Sequence, residues 1–255
     1  MEKGAFVFCA IFMTIIGMCI GSFLNVVIYR LPREESILWE RSRCPACGHI
    51  LAWCDLVPLL SYAFLRGKCR SCGAKMSWMY PVVELFTGLL FLLLFCRFGL
   101  TLVLAKYLFL SAVLVAAAFI DLQHYIIPDS LVIAGLAGGV VLGALARDAG
   151  IISALAGAAA CGGFLLLVAL LSGGGMGGGD VKLAFVAGLF LGWPLAPLGL
   201  FLGICLGGVL AIILLALHIK GRKDPLPFGP FIALGFLIAL LWGDLILRSY
   251  FNVLW

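Results

Sequence analysis

"LAPLGLFLGICLGGVLAIILLALH" fills residues 195–218 with no Asp, Glu, Lys or Arg at any of its 24 positions. About twenty consecutive apolar residues are long enough to cross the hydrocarbon core of a bilayer as a helix. A helix on the surface of a soluble domain would carry a polar face, and this stretch has none. It is read as a transmembrane helix, and the rest of the chain follows from asking how many stretches resemble it.

There are many. Across 255 residues the chain is 64% hydrophobic and 11% charged, with a mean hydropathy of +1.21. Soluble domains carry about twice that share of charge. The short alternating segments of a transmembrane barrel are absent. The expected fold is therefore all-α and polytopic, with about eight transmembrane helices near 5–28, 80–96, 101–120, 128–146, 150–171, 181–193, 195–218 and 228–247. The sixth is short and is expected to be tilted or partly re-entrant. The first is too long for a cleaved signal peptide and lacks a small-residue cleavage site, so it reads as a retained span. No repeat of 20–50 residues is apparent. The small-residue runs "AGLAGG" (134–139) and "ALAGAAACGG" (154–163) suit close helix packing in lipid.

The one sizeable polar segment, about 30–79, holds eight of the 17 Lys and Arg residues. With eight spans, Lys182, Lys220, Arg222 and Lys223 fall on the same side, leaving five for the other. Basic loops stay in the cytoplasm, so the 30–79 loop is expected there, with both termini outside. The net charge of +5 is explained by this placement and calls for no nucleic-acid partner.

That loop contains "CPACGH" (44–49) and "CRSCG" (69–73), a C-x2-C pair, a 21-residue gap and a second C-x2-C pair. Cys44, Cys47, Cys69 and Cys72 can close a tetrahedral zinc site on two tight turns. Two disulfides are the other reading, and a reducing cytosol disfavours them. A metal would also replace the core that this loop has few aliphatic residues to build. Cys54 is read as a small, partly buried residue and His49 as a surface residue. Cys9, Cys19, Cys96, Cys161 and Cys205 fall in spans, where cysteine behaves as a small apolar residue.

Acids at a membrane are costly and are functional candidates by default. Four stand out: Glu84, Asp121, Asp129 and Asp180. Asp121 ends the third span and Asp180 begins the sixth, at matching depth on the cytoplasmic side. Two such carboxylates brought together would share a proton, as in aspartic proteases, where one activates water and the other polarises the scissile carbonyl. Six of the seven residues 173–179 are glycine, directly before Asp180. Without side chains, Gly177, Gly178 and Gly179 would let an extended substrate come close. Singly, Asp180 could be an acid favoured at a helix start and Asp121 an acid at a span end. Asp129, after Pro128, is read as a helix-start residue. Glu84 and Asn25 could line a polar cavity or sit at the interface. His124 is expected to be exposed.

"GSFLNVVIYRLP" (21–32), the cysteine pairs, "LVPLLSY" (56–62), "YPVVELFTG" (80–88), "FIDLQHYIIPD" (119–129) and "GGGMGGGDVKLA" (173–184) occur in order over roughly 17–190. Together they resemble bacterial type IV prepilin leader peptidases. The resemblance implies a membrane aspartic endopeptidase of the Gly-x-Gly-Asp class, with Asp121 and Asp180 as the catalytic pair. Its substrates would be prepilins or pseudopilins, of a type IV pilus or a type II secretion system, cut after a glycine at the cytoplasmic face of the inner membrane. Members with both cysteine pairs look bifunctional and also methylate the new N-terminus with S-adenosylmethionine. Glu84, and with it Asn25, would belong to that methyltransferase half. The implied organisation is a first transmembrane helix (1–29), a four-cysteine zinc-binding loop domain linked to methylation (30–79) and a helical bundle carrying the protease site (80–255, with the acids at 121–180). Cys54 departs from the aromatic residue that the family commonly has before the acid at Asp55. A peptidase without methylation, and a proton-coupled transporter built on glycine-broken helices, are the alternatives. The transporter reading leaves the ordered cysteine pairs unexplained.

Overall fold

A computed structural model describes residues 3–37, 39, 41–148, 150–173, 175–219, 221 and 224–254, with the backbone alone for 251–254. Lys220, Arg222 and Lys223, used above for orientation, lie outside the described residues, as does Gly174 of the glycine run. Nine α-helices are described: α1 (Lys3–Arg30), α2 (Leu60–Phe64), α3 (Met79–Phe98), α4 (Leu102–His124), α5 (Asp129–Ala146), α6 (Ile151–Leu171), α7 (Gly178–Leu191), α8 (Leu195–Ala216) and α9 (Gly229–Leu254). No strand is present among the described residues, only two isolated bridges, Arg43 with Ile50 and Lys68 with Lys75. The chain is a multi-pass helical membrane protein.

Among the described residues seven helices are long and apolar enough to cross a membrane, against the eight expected. The exception is α7, with only 14 residues. The cause is the glycine run, which delays the start of the helix to Gly178, while Gly192 at φ 68° stops it.

The chain divides into two compact units, Met1–Leu100 and Thr101–Trp255. In the first, α1 and α3 pack antiparallel through small residues. A Cβ on Gly21 would lie 2.7 Å from the Glu84 Cα, and one on Gly17 would lie 2.8 Å from the Thr87 carbonyl oxygen. Lipid is as apolar as leucine, so helices in it associate by such close backbone fit rather than by a hydrophobic drive. Arg30 ends α1 buried, donating to the carbonyls of Ser36 (3.0 Å) and Arg41 (3.1 Å). It thereby folds the start of the polar loop back onto the helix end.

In the second unit α4 is the central helix, buried along its length from Leu104 to Asp121 and in contact with α5, α7 and α9. The Thr101 hydroxyl caps its start by accepting from the Leu104 N–H at 3.1 Å. Tyr125, at φ 57°, closes its end with an N–H to the Asp121 carbonyl at 2.9 Å. Pro128 then opens α5. Helix α7 packs along α6, where a Cβ on Gly157 would lie 2.6 Å from the Gly188 carbonyl oxygen. The far end of α7 is tied to the start of α6: the Trp193 N–H donates to the Ser153 oxygens, and the Ser153 hydroxyl donates back to the Trp193 carbonyl at 3.0 Å.

Candidate active site and metal centre

The last turn of α4 carries Asp121, only 5% exposed. Its Oδ2 accepts the backbone N–H of Gly229 at 2.8 Å. The first turn of α7 carries Asp180, whose N–H bonds the Gly177 carbonyl at 3.1 Å. Asp180 is half-buried, and its Oδ1 is shielded from solvent with no hydrogen-bond partner. Helices α4 and α7 are in contact, with Asp121 in the last turn of one and Asp180 in the first turn of the other. Asp121 has a committed oxygen and Asp180 an uncommitted one.

The three glycines before Asp180 differ in their surroundings. A Cβ on Gly179 would meet the Ile127 Cβ at 2.9 Å, so this glycine is required for α7 to seat against the α4–α5 turn. A Cβ on Gly177 would lie 3.2 Å from Asp180 Oδ2. Gly178 faces open space. Only Gly178 has room above it for an approaching chain.

Asp129 is the first residue of α5 and is exposed. It accepts from Lys182 Nζ at 2.5 Å, a tie between α5 and α7 beside Asp180. His124 is a correction: it is half-buried, not exposed, and its Nε2 is shielded without a partner. Gly229 was not found by sequence reasoning. Its signal was "PFGP" (227–230), a glycine between prolines at a helix start.

In the first unit the two cysteine turns are built alike. The Cys44 N–H bonds the His49 carbonyl (2.9 Å) and Gly48 N–H the Cys44 carbonyl (2.9 Å), while Cys69 pairs with Ala74 (2.8 Å) and Gly73 (2.9 Å) in the same way. Gly48 and Gly73 sit at φ 70° and 71°, where a side chain would be strained. The sulfurs of Cys44, Cys47, Cys69 and Cys72 all lie within 4.8 Å of one another. None is in a disulfide. Backbone N–H groups of Cys47 and then Ala46 point at the Cys44 sulfur and bring its pKa down from 9.0 to about 7, while burial and the neighbouring sulfurs push Cys47 up to about 11. His49 is exposed and takes no part. Asp55, with a side chain only 3% exposed, accepts from Arg70 at 2.7 and 2.9 Å. Arg70 lies between Cys69 and Cys72, so this pair braces the second turn. Cys54 is half-buried beside it.

Glu84 is buried on α3, and its Oε2 accepts the Leu59 N–H at 2.8 Å. Leu59 holds φ 59° and ψ −47°, which L-residues rarely adopt, and the bond helps to hold it there. One turn earlier, the Tyr80 carbonyl accepts from Asn25 Nδ2 at 3.0 Å, and Asn25 Oδ1 is buried without a partner. Gly21 faces Glu84 and Asn25 faces Tyr80, so both polar residues line one α1–α3 seam.

Fold and site together define a multi-pass helical membrane protein with one buried and one half-buried acid on two contacting helices, and a four-cysteine cluster. Residues 15–98 match the bacterial peptidase A24 N-terminal domain, and residues 108–212 match the type IV leader peptidase family. A prepilin leader peptidase/N-methyltransferase of Myxococcus xanthus is 45% identical over 224 residues, covering 85% of this chain and 65% of that protein. One from Stutzerimonas stutzeri is 38% identical, covering 96% of this chain and 94% of that protein. A Bacillus subtilis protein of the same name is 35% identical, covering 94% and 96%. No solved structure matches. The chain belongs to the type IV leader peptidase family, and it is an enzyme, a peptidase of that family.

Proposed function

We propose that this chain removes the basic leader from type IV prepilins or pseudopilins, cutting after a glycine with Asp121 and Asp180 as the catalytic pair. The carrying observation is the juxtaposition of these two acids on α4 and α7, inside the segment that matches the peptidase family. Water adds to the scissile carbonyl carbon while one acid takes its proton and the other gives a proton to the carbonyl oxygen. The tetrahedral diol collapses as the C–N bond breaks: the leaving amine takes a proton from the first acid, and one diol hydroxyl returns a proton to the second as the carbonyl reforms. Gly178, open above the pair, is where the substrate backbone would approach.

The excess of Lys and Arg on the 30–79 side supports a position for that loop and the cleavage site at the cytoplasmic face of the bacterial inner membrane. The substrate's basic leader would then stay in the cytosol while its apolar segment lies in the bilayer.

The four cysteines fit zinc. Sulfurs about 2.3 Å from a tetrahedral zinc stand about 3.8 Å apart, and Cys44 Sγ is 3.9 Å from Cys72 Sγ. Zinc held there would be structural, since all four positions are filled by protein. The relatives' names also point to N-methylation, with S-adenosylmethionine supplying an electrophilic methyl group. The Glu84 carboxylate and the unpaired Asn25 Oδ1 offer oxygens suited to a cationic donor. This assigns methylation to the first unit and cleavage to the second.

The test is a purified, detergent-solubilised chain given a prepilin and S-adenosylmethionine, with leader loss and methylation read by mass. Asp121→Asn and Asp180→Asn should each lower cleavage by at least about a hundredfold. Near-normal cleavage by either variant overturns the pairing.

A further inference from the structure

Asp121 lies three residues before the C-terminal residue of α4, His124. The carbonyl end of a helix disfavours an anion, because its partial charge is negative. Asp180 has the opposite setting, in the first turn of α7, where the exposed N–H groups favour one. Dipoles alone would make Asp180 the carboxylate of the pair.

The hydrogen bonds reverse that order. Gly229 is the first residue of α9, where backbone N–H groups have no partner within the helix. The Phe231 and Ile232 N–H groups turn back to the Phe228 carbonyl, but the Gly229 N–H points instead at Asp121 Oδ2, 2.8 Å away and buried. No N–H reaches Asp180 Oδ1. The N–H of Gly229 acts on one carboxylate oxygen at 2.8 Å in a buried setting, whereas a helix-end dipole is spread over the whole terminal turn. The direct bond wins. We infer that the Gly229 N–H is a positioning donor that holds Asp121 as the carboxylate of the pair and leaves Asp180 to carry the proton. Asp121 then takes the proton from water, and Asp180, with Oδ1 uncommitted, gives its own to the carbonyl oxygen.

Glycine is required here by space as well. A Cβ at residue 229 would stand 2.9 Å from Asp121 Oδ2 and 3.1 Å from its Cβ, so any side chain must displace the acid. Gly229 touches no substrate atom in this scheme; it acts through Asp121.

This inference rests on the Asp121–Asp180 reading, and the test separates the two. The full chain is prepared with Gly229→Ala, which adds the clash, and with a backbone ester at residue 229 (glycolate for glycine), which removes the N–H and adds no atom. Methylation of a pre-cut pilin and thermal melting report whether the fold survives. Both variants should lose on the order of ten- to a hundredfold in kcat with KM unchanged. If the ester variant cuts at the wild-type kcat while Asp121→Asn and Asp180→Asn are inactive, the donor role is wrong and the pair stands. A rise in KM with kcat unchanged also overturns it, since that marks a substrate contact. If Asp121→Asn or Asp180→Asn still cuts normally, the underlying pair fails and the donor role with it.

Discussion

Lys106 Nζ lies 2.8 Å from Oδ1 and 3.0 Å from Oδ2 of Asp148. Lys106 is 1% exposed, in α4 at the end opposite Asp121, and Asp148 is in the α5–α6 connection. The Tyr107 hydroxyl donates to Asp148 Oδ2 at 2.8 Å. One carboxylate thus ties α4 to the loop at the far end of the next helix.

Losing one partner of a buried pair costs about 3 kcal/mol or more, because the other charge stays desolvated. Asp148→Leu strands the buried Lys106 and should lower the melting temperature in detergent markedly. Adding Lys106→Met to it should recover much of the loss. A double variant as unstable as the single one would show that the pair itself, not the stranded charge, supplies the stability.

Zinc should be present at about one per chain and be lost on Cys44→Ser or Cys69→Ser, the two buried cysteines of the four. Elemental analysis reads the stoichiometry. Limited proteolysis of chelator-treated protein should cut first within residues 42–76, because the metal supplies folding energy to that segment. Equal protease resistance with and without metal would remove the structural role.

Asp55→Ala should weaken metal binding by about ten- to a hundredfold, the usual effect of removing a group that braces a ligand loop. Arg70 would lose both of its contacts to Asp55. A competition titration with a coloured chelator measures the shift, and unchanged affinity would show that the turn holds itself.

Gly178→Ala and Gly179→Val should behave differently. The Gly179 change forces a Cβ onto Ile127 and should destabilise by about 1–3 kcal/mol. The Gly178 change meets nothing within 4 Å, so melting should stay near wild type. If cleavage nevertheless falls, Gly178 is where substrate passes. Unchanged cleavage would leave the glycine run a packing device.

Much of this was legible in the sequence because bilayers impose simple rules. Apolar runs gave the long helices to within a few residues, and the C-x2-C spacing foretold that four sulfurs would meet. Three things were hidden. Lys106 sits inside an apolar run, and its partner Asp148 is 42 residues away, so no local pattern links them. Gly229 is 108 residues from Asp121, and its contact is made by a backbone N–H that every non-proline residue has. The glycines at 177–179 look alike in the sequence, and only their neighbours show that Gly179 seats a helix while Gly178 lies open.

The shortness of α7 falls unevenly. Its far end is fixed to Ser153 at the start of α6, and Gly157 faces Gly188 while Gly162 faces Phe185. Continued along the pair, that register sets Asp180 beside Leu166 or Leu167, about 8 Å short of the end of α6. Helix α7 therefore begins short of the end of α6. The outcome is a step between two neighbouring helix ends, with Asp180 on its lower tread, about one turn down from the end of α6.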